Sequence, residues 1–226
     1  MRKAVLHLKK SDPLMRALIE RVGPCRMEFG EPTFHSLAES IVYQQLNGKA
    51  AATIFKRFTA LTGDPVRPEG ILKFSAAQLR AVGLSKQKSS YLFDMAERAQ
   101  RGELDFSKLT EMTDDEVIAH LTQVKGVGVW TAHMFLMFTL QRANVLPTGD
   151  FGIRMAMHKH YLDRAAKRNN GIAKTKNKNT IAKTPKRKIT LPTPAQMEKI
   201  AKRWEPYRSI ACWYLWRSLD TKTIAR

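Results

Sequence analysis

Apolar residues along this chain recur at three- and four-residue spacing and not at every second position, so the sequence reads as a succession of helices. From about residue 36 to 59, Leu37, Ile41, Val42, Ala51, Ile54, Phe55 and Phe58 fall on one face, with a break expected near Asn47-Gly48. Thr113 and Glu116 have the spacing of a capping box, in which the hydroxyl accepts from an orphan amide and the acid reaches back, and Val117, Ile118, Leu121 and Val124 then follow at helical period. Ser36 with Glu39, Ser75 with Gln78, and Thr193-Pro194 with Gln196 give three more start signals of that type. Alternating strand patterns are not found. The expected fold is all-α, roughly ten helices joined by short turns, with one long irregular insertion and no strong internal repeat.

Length and charge narrow the partners. With 226 residues, 43% of them apolar, the chain can bury a core as one sizeable domain or two intimate lobes. No apolar run approaches the roughly 18 to 20 residues that cross a bilayer, and the first ten residues lack a signal-peptide core and cleavage site. A cytoplasmic location is therefore expected, at the nucleoid if the source is bacterial. Cys25 and Cys212 form no Cys-x-x-Cys pair, so neither a zinc site, nor a disulfide framework, nor a four-cysteine iron-sulfur cluster is supported. Lys plus Arg outnumber Asp plus Glu by 39 to 20, a formal charge of +19, which points to a polyanion: nucleic acid first, an anionic membrane surface second.

Ten of those cations, from Arg164 to Lys188, lie in a stretch over residues 164–190 that contains no acid. Its composition reads as a mobile basic insertion, which either grips phosphates or is simply solvated. Removing it leaves about +9, so the remainder of the chain is basic as well.

The stretch most informative about chemistry is Leu121–Leu140. A helix is expected to end near Val124, two glycines to permit positive φ and close backbone approach, and an apolar helix to begin near Val129. Lys125, Gly126, Val127 and Gly128 would then offer unpaired amides and one cation to a phosphate at a helix N-terminus. Alone, the motif fits a tight hairpin that binds nothing better than it fits a phosphate site. Twenty-two residues beyond Gly128, however, comes Leu146-Pro-Thr-Gly-Asp150-Phe-Gly-Ile-Arg-Met-Ala.

Hairpin, Gly/Pro loop and aspartate together resemble the helix-hairpin-helix DNA glycosylase superfamily, and within it the bacterial 3-methyladenine DNA glycosylase II family and its yeast relatives. Ser40-Ile-Val-Tyr-Gln-Gln-Leu, Val82-Gly-Leu-Ser-Lys-Gln-Lys and the segment Trp204–Trp216 add to the likeness, which runs from about His7 to Trp216 and is interrupted by the basic stretch. The resemblance implies a single two-lobed helical glycosylase domain over 1–226, with a central lobe of about 34–148, a second lobe of 1–33 plus 149–226, and the active-site cleft between them. It makes Asp150 the catalytic residue, a fixed carboxylate that stabilises positive charge on the sugar and orients water. Trp130 stands where strand-cleaving members have a lysine nucleophile, so the implied enzyme is monofunctional. Trp130, Trp216 and Met134 become base-pocket residues, with Met134 replacing a tyrosine of some members. Gln45 or Leu46 becomes the wedge that fills the gap left by a flipped nucleotide, and Gln44, Arg208 and Ser209 support the site.

The partner implied is double-stranded DNA containing damaged bases, bound by a monomer, with no membrane role. No cofactor and no metal are expected, although a structural monovalent cation at the hairpin would be compatible. His158 and His160 read as surface residues. The larger bacterial members carry an N-terminal β-rich region that this length does not hold. The implied reaction is hydrolytic release of alkylated purines, of the 3-methyladenine and 7-methylguanine type, leaving an abasic site. Two other readings fit the same residues: a non-catalytic protein that recognises lesions or DNA structure, and a glycosylase for another damaged purine.

Overall fold

A computed structural model describes residues 1–163 and 189–220. Among the described residues there are twelve α-helices and no strand, as the apolar periodicity requires. They are α1 Arg2–Ser11, α2 Pro13–Val22, α3 Phe34–Tyr43, α4 Gly48–Thr62, α5 Pro68–Leu72, α6 Ala76–Ala81, α7 Lys86–Gln100, α8 Asp114–Leu121, α9 Val129–Phe138, α10 Phe151–Met157, α11 Pro194–Ala201 and α12 Arg208–Arg217. A π-helical turn, His158–Leu162, extends α10. No helix among the described residues is long and apolar enough to cross a membrane.

Reciprocal capping boxes form at Ser75/Gln78, Thr113/Glu116 and Thr193/Gln196, where two orphan donors are satisfied by one pair of side chains. The expected start at Ser36 is displaced. Thr33 caps α3 instead, its hydroxyl accepting from the Ser36 amide at 3.3 Å, while the Ser36 hydroxyl donates to the Glu31 carbonyl. The stretch from 36 to 59 is two helices: α3 ends at Tyr43, and Asn47 opens α4 by accepting from the Ala50 amide at 2.9 Å.

The chain divides into two compact units, Glu28–Arg142 and Met1–Met27 with Ala143–Arg226. In the first, Leu37, Ile41, Val42, Phe58, Leu92, Met95, Val117, Leu121 and Leu136 are wholly buried, a core of about 1.5–3 kcal/mol per large side chain. Ile54 and Phe55 are only half-buried, and the Phe55 ring meets His35 and Tyr43 edge-on.

Asp12 ties the second unit together across most of the sequence. Its Oδ1 accepts from the Leu14 and Met15 amides and so starts α2. Its Oδ2 accepts from the Tyr161 hydroxyl and from Trp204 Nε1, both at 2.9 Å. A carboxylate only 1% exposed is stable there because four donors replace its water.

Candidate active site and DNA-binding hairpin

In the Glu28–Arg142 unit the hairpin runs from the end of α8 to Gly128, the N-cap of α9. Gly126 has φ +79°, and a Cβ on it would lie 2.1 Å from the Tyr91 ring, so both backbone and packing demand glycine there. Gly128 differs from the expectation: its φ is −95°, and nothing lies within 4 Å of where its Cβ would be. Gly126 makes the turn. Gly128 leaves an open surface at the mouth of α9.

Asp94 of α7 anchors this hairpin, and no sequence signal marked it. Its Oδ2 accepts from the Lys125 amide at 2.9 Å and from Arg98 Nε at 3.1 Å, and Lys125 Nζ lies 3.4 Å from Oδ1. Burial favours the protonated acid, but the bonds from the Lys125 amide and the Arg98 guanidinium outweigh it and hold the carboxyl below the usual aspartate range. The Lys125 amide is thus committed, as is that of Val127, which donates to Val124 at 3.0 Å while its side chain is buried. The amides of Gly126, Gly128 and Val129 meet no acceptor among the described residues. Gly126, Gly128 and Val129 are exposed, as is the Lys125 side chain, and amides at a helix N-terminus beside a cation are a set suited to an anion.

Between α3 and α4 the loop carrying Gln44, Gln45 and Leu46 is fixed at both ends of Gln44. Lys88 Nζ donates to the carbonyls of Val42 and Gln44, each at 2.7 Å, and Gln44 Nε2 donates to the Gly126 carbonyl at 3.0 Å. Gln45 then sits at φ +56°, in the left-handed region that few non-glycine residues enter. Gln45 and Leu46 are exposed. A cavity of about 650 Å³ opens beside them, lined by Tyr43, Gln44, Gln45, Leu46, Gly126, Trp130 and Met134 together with Ser40 and Thr131. It gathers the wedge candidates, one hairpin glycine and two of the three base-pocket candidates. Trp130 is 48% exposed, so it is not a packed core group.

The other unit holds Asp150, only 7% exposed. Its amide donates to Pro147, closing the turn, and its Oδ1 accepts from the Ile153 amide at 2.7 Å and from Trp216 Nε1 at 2.8 Å. Asp150 is therefore the N-cap of α10 and the partner of Trp216 at once. Trp216 meets this carboxylate directly, a contact that sequence alone did not reveal. Gly152 makes room for it: a Cβ there would stand 2.9 Å from Trp216 Cδ1 and 3.2 Å from Asp150 Oδ1.

Arg208 and Ser209 act on the segment leading into that turn. The Arg208 guanidinium donates to the Asn144 carbonyl and side chain and pairs with Glu198 at 2.9 Å. Ser209 donates its amide to Ala143 and accepts from the Val145 amide, fixing residues 143–145. His160 departs from its expected surface position: it is buried, with Nε2 2.9 Å from the Ser218 hydroxyl. The basic stretch lies, from 164 to 188, outside the described residues.

A helical chain in which a glycine hairpin opens on an aromatic pocket and a buried aspartate follows 22 residues later has the features of a base-excision protein. Residues 38–206 match the HhH-GPD superfamily base excision DNA repair protein family, and the chain belongs to that superfamily. It is 32% identical over 223 residues to DNA-3-methyladenine glycosylase 1 of Schizosaccharomyces pombe, covering 96% of this chain and 86% of the relative. It is 33% identical over 210 residues to the DNA-3-methyladenine glycosylase of Saccharomyces cerevisiae, covering 86% and 69%. Among solved structures, the S. pombe 3-methyladenine DNA glycosylase in complex with abasic DNA superposes with a TM-score of 0.73 at 31% identity, over 99% of this chain and 100% of that one. A DNA-3-methyladenine glycosidase from Bacillus halodurans gives a TM-score of 0.75 at 32% identity, over 97% and 90%.

Proposed function

We propose that this protein is a monofunctional DNA glycosylase of base excision repair, acting on alkylated purines such as 3-methyladenine and 7-methylguanine in duplex DNA. The observation that carries the reading is Asp150: a nearly buried carboxylate whose orientation is fixed by a backbone amide and an indole N–H. Cleavage of the bond between base and deoxyribose leaves positive charge on the sugar, and a pre-oriented carboxylate stabilises that charge without reorganising. Asp150 also directs the water that adds to the sugar carbon; the leaving base takes the bonding electrons, and an abasic site remains. A methylated purine is already cationic, so it departs as a neutral base without needing a strong acid.

Extrusion of the base costs a few kcal/mol, less when the pair is damaged. The hairpin amides and Lys125 hold a phosphate, Gln45 or Leu46 fills the vacated gap, and Trp130 and Tyr43 receive the base, where stacking and cation-π attraction favour a cationic ring. Trp130 has no amine to attack the sugar, so strand cleavage through a Schiff base is not expected. The reaction so drawn calls on no cofactor and is performed by a monomer. Two measurements test it: release of free methylated purine from duplex DNA without strand scission, and Asp150→Asn, which should retain lesion binding and lose release. An Asn variant that released base at the wild-type rate would remove Asp150 from the mechanism.

A further inference from the structure

We propose that Lys88 is a positioning residue for base extrusion, its ammonium fixing the Gln44–Leu46 loop against the hairpin so that the wedge is aimed before DNA arrives. This rests on the wedge assignment of the proposed function and deepens it.

The C-terminal carbonyls of a helix lack intrahelical partners, and a cation there satisfies them and favours the negative end of the helix dipole. Lys88 does this for α3 from 46 residues away, with two bonds of 2.7 Å to Val42 and Gln44. Helix capping alone does not explain the backbone of Gln45. This residue is at φ +56°, and a non-glycine residue stays in that region only when its surroundings over-determine it. Here they do: Lys88 holds the Gln44 carbonyl, and the Gln44 amide group is held by the Gly126 carbonyl at 3.0 Å and by the Thr131 hydroxyl at 3.5 Å.

The same face of α7 then holds the hairpin. Lys88, Tyr91 and Asp94 are spaced three apart and so project to one side. Lys88 binds the wedge loop, Tyr91 lies against Gly126, and Asp94 binds the Lys125 amide. One rigid helix thus sets the offset between the side chain entering the duplex and the amides gripping its backbone. The pocket geometry is pre-organised, and the binding energy of DNA need not be spent on ordering the loop.

The test measures single-turnover release of 7-methylguanine from two duplexes, one with the lesion opposite cytosine and one with it in a mismatch that already weakens the pair. Lys88→Met, which keeps the stem and loses the donors, should slow release from the paired duplex about tenfold and from the mismatch much less, because only extrusion from a stable pair needs the wedge. Lys88→Arg should restore most of the rate, since its guanidinium still donates to two carbonyls. Combined with Gln45→Ala, Lys88→Met should add no further loss. Fluorescence of 2-aminopurine beside the lesion reports extrusion in the same proteins even where no base is released, so failure of the glycosylase reading and failure of the positioning reading are seen separately. Should Lys88→Met not fold, Lys88→Leu, which also lacks a donor, carries the same comparison. An equal loss in both duplexes, or undiminished 2-aminopurine signal, overturns the proposal. If Gln45→Ala is silent while Lys88→Met keeps its dependence on pairing, Lys88 still positions the loop and Leu46 is the wedge.

Discussion

Gly152→Ala sets two physical effects against each other. In the interior of a helix alanine is favoured over glycine by up to about 1 kcal/mol. Gly152 lies in the first turn of α10 and is not at positive φ, so backbone alone predicts a neutral or slightly stabilising change. The new Cβ, however, would sit 2.9 Å from Trp216 Cδ1 and 3.2 Å from both Trp216 Nε1 and Asp150 Oδ1. The indole must move, and its 2.8 Å bond to Asp150 is lost. A hydrogen bond to a charged group is worth about 1.5–3 kcal/mol, so if the bond orients Asp150 for the reaction, release should slow about ten- to a hundredfold. Single-turnover base release is the assay, with thermal unfolding alongside. The expected outcome is a large rate loss with a melting temperature lowered by only a few degrees, because the helix preference of alanine offsets part of the lost bond. Trp216→Phe, which removes the donor without adding the Cβ, should produce a similar loss, and the double variant should be no worse. A Gly152→Ala protein releasing base within about twofold of the wild-type rate would show that the Trp216 contact does not shape catalysis, because a lost bond of this kind is worth at least tenfold.

Other consequences concern the hairpin. Gly126→Ala meets the Tyr91 ring and a positive φ, and the left-handed backbone alone costs about 1–2 kcal/mol, so both melting temperature and DNA affinity should fall. Gly128→Ala meets open space in the free protein and should leave the melting temperature unchanged while weakening DNA binding in a gel-shift titration; unaltered affinity would remove Gly128 from the interface. Asp94→Asn should destabilise by about 1–3 kcal/mol at neutral pH, as an amide cannot replace the carboxylate toward Lys125 and Arg98. Because the folded pKa of Asp94 is depressed, its stabilisation is present above the unfolded value and fades as pH falls through the folded one. The gap in melting temperature between wild type and Asp94→Asn should therefore narrow in acid, and a constant gap would contradict the charge-based account.

The sequence by itself determined what depends on near neighbours. Apolar period, Ser/Thr caps with Glu or Gln three residues on, and Pro at helix starts are local signals, and they specified an all-helical chain with three of its capping boxes and the start of α9. Family likeness then singled out Asp150, Trp130 and the hairpin as candidates, because those residues sit at fixed spacings along the sequence. Even so, Thr33 took the cap expected of Ser36, since two hydroxyls three residues apart compete for one helix start and the geometry before Phe34 favoured the earlier one. Tertiary structure decided everything that rests on distant partners. Asp94 meets Lys125 across 31 residues, Lys88 meets Gln44 across 44, and Trp216 meets Asp150 across 66. Hydrogen bonds and close packing act over about 3–4 Å of space and are blind to separation along the chain, so no periodicity records them. That is why Gly126 and Gly128, identical in sequence, stand in different surroundings: one is pressed against Tyr91, and the other borders open space.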